Sequence, residues 1–218
     1  KIVQEICKKY DVLLMMDEVV CGFARTGTMF GYEHYGIVPD MVTMAKGMAS
    51  SYMPISATVV TQEIFDMFVD DPSKPLAYFR DISTYGGCAG GCAAALENIR
   101  IIEEENLCEN SAKVGAYFIA RLNELLDLPI VGDVRGNGLF AGIEIVEDKA
   151  SKTPMSDAVL GQIMANIANE GVLAGKTNRS FPNQNNVIAF APALIATKDD
   201  IDRIVSAVRI GLENSCKK

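Results

Sequence analysis

Residues 13–47 carry the sequence LLMMDEVVCGFARTGTMFGYEHYGIVPDMVTMAKG, in which two side chains, Asp17 and Lys46, point to chemistry. The apolar run at 12–16 is typical of a buried strand, and Asp17 follows at its carboxyl end, where open α/β sheets bind ligands. A second apolar run, 41–45, ends at Lys46, and the next residue is a glycine that lets the chain turn. The sequence therefore predicts a carboxylate and an amine that face one crevice.

The composition excludes several classes of function. The chain has 218 residues, of which 49% are hydrophobic and 22% charged, and this balance indicates a globular, soluble protein. A net charge of −8 argues against nucleic acid or an anionic membrane as partner, because both require a basic surface. No apolar run is long enough to span a membrane, and there is no C-x-x-C pair or apolar leader. We therefore expect a cytoplasmic protein with reduced thiols.

Histidine and metal chemistry are also disfavoured. The one histidine, His34, lies in the loop GYEHYG, so neither a histidine-based triad nor a site with several histidine ligands is available. A packed or hydrogen-bonded loop residue is the favoured interpretation of His34. Cys88 and Cys92 are four residues apart at a helix start, but the sequence offers no further ligands beside them. We expect these two thiols to pack in the core, and we predict no metal site.

The motifs around Asp17 and Lys46 give these residues a more specific meaning. The segments DEVVCGFARTG (17–27) and PDMVTMAKG (39–47) resemble the class III, or ω-amino acid, branch of the pyridoxal 5'-phosphate (PLP) aminotransferases. Members of that family carry D-E-V-x-x-G-F-x-R-T-G before an A-K-G lysine. The resemblance implies that Lys46 forms the Schiff base with PLP, that Asp17 pairs with the pyridinium nitrogen and that Val19 packs against the ring.

These implied roles make physical sense for the two residue types. A desolvated lysine can be nucleophilic near neutral pH, because burial disfavours its charged form. A buried carboxylate can keep the ring nitrogen protonated, which maintains the cofactor as an electron sink. We therefore expect both Asp17 and Lys46 to be buried, and in the absence of another base we expect Lys46 to move the protons.

A glycine-rich turn, TYGG at 84–87, carries a further implied contact. It matches the T-[FY]-x-G turn of the family, whose threonine reaches the cofactor phosphate of the neighbouring subunit. The resemblance thus implies that Thr84 binds cofactor and that the protein is a homodimer. Cys88 and Ala89 stand where the family usually has Asn-Pro or His-Pro, so the shape of this loop is expected to differ.

The rest of the chain predicts alternating helices and strands. Expected strands are 56–60, an antiparallel strand in which Leu139, Ala141, Ile143 and Ile145 share a face, one near Val172, and 187–190. Expected helices are a short one opened by Thr61, one from about Cys92, then 111–126, 156–169 and a last one from Thr197 with Asp200 completing a capping box.

The resemblance extends over the whole chain and implies an α/β fold. Residues 1–128 would be the C-terminal part of the large PLP-binding domain of fold type I, with a mostly parallel sheet and connecting helices. Residues 129–218 would be the small C-terminal α+β domain. In the family a first half with the phosphate-binding loop precedes this point, so we expect the isolated chain to bind PLP weakly, to be inactive and to associate.

Substrate recognition rests on arginine. Arg135 and Arg179 lie near turns of the second region, and a guanidinium suits a planar acid group. Arg179 is the preferred candidate, although a surface ion pair is an equal alternative. The segments GKTNRS and APALIAT, with FRDISTYGG, look closest to the taurine–pyruvate type, which implies an ω-amino acid, amine or aminosulfonate such as taurine or β-alanine as donor and pyruvate as acceptor.

Two alternatives stay open at this point. An aminomutase or decarboxylase of the same fold would share Asp17 and Lys46. A non-catalytic, truncated relative that acts as a dimerisation or accessory piece would also be consistent with the sequence.

Overall fold

Two separate sheets organise the chain, and each belongs to its own unit. The computed structural model describes residues 1–69, 73, 79–177, 181 and 184–216. Contacts divide the chain into unit 1, Lys1–Cys108, and unit 2, Glu109–Lys218. This division falls before the boundary expected between residues 128 and 129, because the helix that begins at Leu107 contributes Val114 and Phe118 to the core of unit 2.

Unit 1 is built on a three-stranded sheet in the order β1-β2-β3. β1 pairs with β2 in parallel and β2 pairs with β3 antiparallel. The three strands lie where the sequence predicted them, with small shifts of their ends. The elements of unit 1, in chain order, are α1 (Ile2–Lys9), β1 (Met15–Asp17), β2 (Met41–Met44), β3 (Ala57–Val60), α2 (Gln62–Asp66), α3 (Ala89–Glu104) and the start of α4 (Leu107–Asn123).

The expectation that the first strand is buried is wrong for this chain. β1 lies at the edge of the sheet, and Met15 is 55% exposed. The preceding residues Val12 and Leu13 are also exposed, and none of the residues of α1 is buried. The apolar run has the composition of a covered strand, but in unit 1 the sheet buries side chains mainly at β2, where Val42 and Met44 enter the core.

Unit 2 contains a five-stranded antiparallel arrangement, ordered β4-β5-β8-β7 with β6 on β5. The predicted alternation is confirmed, because Leu139, Ala141, Ile143 and Ile145 are all buried. Side chains from the helices of unit 2 pack against these strand residues and form one hydrophobic core with them. The elements that complete unit 2 are β4 (Val131–Asn137), β5 (Phe140–Asp148), β6 (Thr153–Pro154), α5 (Asp157–Asn169), β7 (Gly175–Lys176), β8 (Val187–Phe190) and α6 (Lys198–Cys216).

The helix ends of unit 2 follow the expected capping chemistry. The Thr197 hydroxyl accepts from the Asp200 N–H at 3.3 Å, and the Asp200 carboxylate accepts from the Thr197 N–H at 2.9 Å. This reciprocal pair confirms the capping box, and the Thr197 N–H lowers the pKa of Asp200. The strand expected near Val172 is present but begins three residues later, at Gly175, because Gly171, with φ +83°, and Val172 terminate α5.

Across the described ranges, no helix combines the length and the apolar character that crossing a bilayer requires.

Candidate functional site

Asp17 and Lys46 lie at the same end of two neighbouring strands. β1 and β2 run parallel, and Asp17 is paired with Thr43 across them. The ladder continues one residue further, with the Glu18 N–H donating to the Thr43 carbonyl at 2.8 Å. β2 ends at Met44, and Lys46 then opens a single 3₁₀ turn, Lys46–Ala49. The carboxyl ends of these adjacent parallel strands thus carry the carboxylate and the amine at the same end of the sheet, as the sequence indicates. We call this end the sheet edge of the site.

The Asp17 carboxylate is oriented by the backbone that follows it. Its Oδ1 accepts a hydrogen bond from the Val19 N–H at 3.0 Å, a turn typical of aspartate. Val19 is half-buried beside it, whereas Asp17 itself is exposed. The expected burial of Asp17 is therefore wrong for this chain, because the carboxylate ends an edge strand that the other described residues do not cover.

Glu18 is the buried acid of the site, and the sequence did not single it out. Its side chain accepts from the backbone N–H groups of Gly31 at 2.8 Å and Tyr32 at 2.9 Å, and it is 2% exposed. A buried carboxylate requires such donors, since an unsatisfied charge there would be costly. The Glu18 carbonyl also accepts from Gly22 at 3.0 Å. The acid thereby closes the 18–31 loop, and the available signal was a second acid, next to Asp17, between the apolar pairs of MMDEVV.

The loop itself has unusual backbone geometry. Phe23 and Ala24 are both buried and both have positive φ, +55° and +69°. Left-handed conformations of non-glycine residues cost about 1–2 kcal/mol each and persist where surrounding contacts fix them. Here the Phe23 ring packs edge-on against Phe30 at 5.6 Å. The burial of Arg25 in the same loop lowers the pKa of its guanidinium.

His34 is exposed, and of the two roles that the sequence favoured it has the hydrogen-bonded one. Its Nε2 lies 3.0 Å from the Thr26 carbonyl and 3.1 Å from the Thr28 hydroxyl. Both partners belong to the loop that Glu18 closes. The imidazole thus stabilises that loop.

Lys46 is held in a left-handed backbone conformation, with φ +40°. Its turn is closed by the Met48 N–H, which donates to the Ala45 carbonyl at 2.9 Å. The amine side chain is exposed, so the expected burial of Lys46 is wrong. β2, the strand before it, is the central strand, and the described residues place no cover over Lys46 at its carboxyl end.

Of the other predicted residues, Thr84 lies in a turn of unit 1 and Arg179, the candidate for substrate binding, lies outside the described residues. Thr84 is exposed in the turn 84–87, where Gly86 N–H donates to Ser83 O at 3.0 Å and Gly87 has φ +71°. The role of Thr84, like those of Asp17, Val19 and Lys46, stays a prediction.

Two further expectations are settled by local contacts. Arg135 forms surface ion pairs with Asp133 at 2.6 Å and Glu144 at 2.8 Å, which is the alternative to ligand binding. Cys88 and Cys92 are exposed, so the expectation that they pack in the core is wrong. Both lie in the first turn region of α3, on the side that the described part of unit 1 leaves open to solvent.

Comparison with known proteins gives the chain its family. The model of the family described as aminotransferase class-III matches residues 1–210. A hypotaurine/taurine–pyruvate aminotransferase of Paracoccus denitrificans is 55% identical over 207 residues, 94% of this chain and 45% of that protein. A taurine–pyruvate aminotransferase of Bilophila wadsworthia is 56% identical with the same coverage. The chain therefore spans a little under half the length of these curated relatives.

Solved structures agree with the fold. A Bacillus anthracis aminotransferase superposes with a TM-score of 0.94 at 39% identity, over 97% of this chain and 47% of that one. The predicted resemblance and the α/β fold class, that of PLP-dependent enzymes of fold type I, are confirmed. The chain belongs to the class III aminotransferases.

Proposed function

We propose that this chain provides the amine and the ring-nitrogen carboxylate of an aminotransferase that moves an amino group from an ω-amino acid, amine or aminosulfonate to pyruvate. Class III aminotransferases depend on PLP, which when bound serves as an electron sink for the carbon that carries the amino group. The observation that carries the proposal is the placement of Asp17 and Lys46 at the carboxyl ends of adjacent parallel strands.

The residues at this edge fit such a cofactor in their chemistry. An Asp17 oxygen would hold a proton on the ring nitrogen, and the bond from Val19 N–H to Oδ1 fixes the direction of the carboxylate. The Lys46 Nζ is the amine that would hold the aldehyde carbon, and as a free amine it could take and return protons. Val19 would pack against the ring face, and Thr84 would contribute to the phosphate site across a homodimer.

The substrate class and the compartment are inferred from relatives and composition. Relatives named for taurine and pyruvate support an aminosulfonate or ω-amino acid donor with pyruvate as acceptor. Arg179 would bind the acid group of the donor. The cytoplasm stays a prediction from the cysteine pattern, and the homodimer stays a prediction from the family.

We expect the 218-residue chain by itself to bind PLP weakly and to have no measurable transamination. Asp17, Lys46 and Thr84 are all exposed, and an exposed amine and carboxylate compete with water for the cofactor. The phosphate carries about two negative charges and is usually held by several backbone N–H groups. Thr84 alone is a weak substitute for such a cradle.

Borohydride reduction in the presence of excess PLP tests the assignment, followed by peptide mapping of the labelled lysine. We expect the label on Lys46 to exceed that on Lys113, an exposed lysine paired with Glu109. Lys46→Arg should abolish the selective label, while Lys113→Arg, the matched control, should leave it intact. Preferential labelling of any other lysine would overturn the role of Lys46.

The role of Asp17 is tested by Asp17→Asn in a polypeptide that is active with an amino donor and pyruvate. Asparagine retains an oxygen that can accept from the Val19 N–H, so the turn is preserved and only the charge is removed. We expect the label on Lys46 to persist and most of the turnover to be lost. Near-normal turnover would contradict the pairing of Asp17 with the ring nitrogen.

A further inference from the structure

Asn98, in α3, forms hydrogen bonds with the turn that carries Lys46. Its Nδ2 donates to the Gly47 carbonyl at 2.7 Å and to the Met48 carbonyl at 3.2 Å. Both acceptors are carbonyl oxygens, which fixes the assignment of the amide nitrogen. The two hydrogen bonds join residues about fifty positions apart in the chain, and the side chain that makes them is half-buried.

We propose that Asn98 is a positioning residue for Lys46, an inference that rests on the function proposed above. It would act by holding the two carbonyls that follow Lys46, so that the backbone at Lys46 keeps its left-handed conformation. The direction of the Cα–Cβ bond depends on that conformation. The carboxamide of Asn98 would thus set the direction in which the amine leaves the sheet edge.

The backbone of the turn shows why a restraint is needed. Lys46, Ser50 and Ser51 have φ values of +40°, +47° and +62°, although none is a glycine. Such residues relax to the right-handed or extended region unless neighbouring contacts prevent it. Loss of the restraint at Gly47 and Met48 would therefore free the backbone at Lys46 to relax, which would redirect its side chain.

The loop that contains Gly22 and Phe23 also restrains the turn, at Gly47. A Cβ atom added to Gly47 would lie 3.3 Å from the Phe23 Cβ and 3.6 Å from the Gly22 carbonyl oxygen. The loop that Glu18 closes therefore presses on Gly47, while Asn98 holds its carbonyl. These two contacts together restrict the backbone after Lys46.

The position of Asn98 in α3 supports a specific role. It lies in the interior of the helix Ala89–Glu104, where asparagine is less favourable than alanine or leucine. A residue that opposes local helix propensity is expected to have a compensating contact. The two hydrogen bonds to the lysine turn are such a contact.

Two substitutions of Asn98 remove its hydrogen bonds to the turn and differ in their effect on helix propensity. Asn98→Ala deletes both donors and improves helix propensity, and Asn98→Asp keeps the shape but directs carboxylate oxygens at the two carbonyls. Asn123→Asp is the matched control, because Asn123 Nδ2 donates to one local carbonyl, that of Ile119, in unit 2.

Two measurements on the whole chain separate positioning from simple structure. The first is amide hydrogen exchange of Met48 and Ser50 without cofactor, where we expect about tenfold faster exchange in both Asn98 variants, the scale of one lost hydrogen bond. The second is the ratio of borohydride-trapped pyridoxyl label on Lys46 to that on Lys113 with PLP, which we expect to fall about tenfold. Asn123→Asp should change neither.

The outcomes are distinct. Faster exchange with an unchanged labelling ratio would make Asn98 a structural residue only and would overturn the proposal, as would unchanged exchange. Unchanged exchange at Val42 and Val59, which pair across β2 and β3 of unit 1, verifies that the variants are folded. If the unsubstituted chain shows no preference for Lys46 over Lys113, the proposed function fails, while the exchange of Met48 and Ser50 still tests whether Asn98 holds the turn.

Discussion

Cys21 reports on the electrostatics of the turn that follows Asp17. Burial raises the pKa of its thiol, and the carboxylates of Glu18 and Asp17 raise it further. A raised pKa means that less thiolate is present at a given pH, and the thiolate is the reactive form. The thiol of Cys21 should therefore react slowly with alkylating reagents although it is only partly buried.

We predict that Cys21 is alkylated more slowly than the exposed Cys88 at neutral pH. Its rate should continue to rise at pH values where an ordinary thiol has already levelled off. Asp17→Asn should shift the midpoint of its pH–rate profile downward, because it removes one of the two charges and keeps the turn to the Val19 N–H. The measurement is mass-resolved alkylation across a pH series, with Cys88 as reference in the same molecule. A midpoint that does not move would mean that the Asp17 carboxylate does not act on the thiol.

For single residues, the sequence predicted that Asp17 and Lys46 follow the ends of two strands, but it did not predict that both side chains are exposed. Their position follows from local rules, since an apolar run ends and a polar residue follows. Their exposure depends on which surfaces meet β1, and no local pattern contains that information. Asn98 escaped detection for the same reason, because its partners Gly47 and Met48 are distant in sequence.

At the scale of elements, α4 and the turn between β4 and β5 approach closely in unit 2. A Cβ atom on Gly115 would lie 2.2 Å from the carbonyl carbon of Gly138, which is backbone and cannot move aside. The hydroxyl of Ser111, one helical turn earlier, accepts from the Leu139 N–H at 3.3 Å. The glycine therefore permits a helix-to-turn contact that a side chain would prevent.

We predict that Gly115→Ala lowers the free energy of unfolding by about 3 kcal/mol, the upper range for overpacking. Gly161→Ala is the matched control, because it also lies within a helix and a Cβ atom there meets nothing within 4 Å. That control should gain up to about 1 kcal/mol from the lower entropy of the unfolded chain. Urea unfolding followed by circular dichroism suits a chain without tryptophan. Equal effects of the two substitutions would contradict the close contact.

The strands and helices were predicted correctly where apolar residues recur at a regular spacing. The alternation from Leu139 to Ile145 reported a half-buried antiparallel strand correctly, because each of its apolar residues enters one core. The strand near Val172 was placed three residues too early because a β-branched residue after Gly171 looks like the start of a strand. In the structure its N–H donates to the Ile167 carbonyl at 3.4 Å, which ends the helix instead.

At the scale of the whole molecule, the two units differ in how well they bury apolar side chains. Unit 2 encloses a continuous core that includes Phe118, Ile143, Ile163, Ile188 and Leu212. Unit 1 leaves the apolar residues of α1 and of β1 exposed. Within the described chain, β2 is the one strand that pairs with β1, so the other edge of β1 offers unpaired backbone groups.

We predict that the isolated chain associates with itself through this edge of unit 1. An exposed strand edge with apolar side chains recruits another chain, and charged residues on such edges oppose pairing. Met15→Lys should therefore reduce concentration-dependent association, measured by sedimentation velocity. Ile195→Lys is the matched control, since Ile195 is an apolar residue of unit 2 that is 66% exposed and lies in a loop between β8 and α6. Both variants change the net charge equally, so a difference between them isolates the edge of β1 from general charge repulsion. A Met15→Lys variant that associates as strongly as the Ile195→Lys control would place the association surface elsewhere.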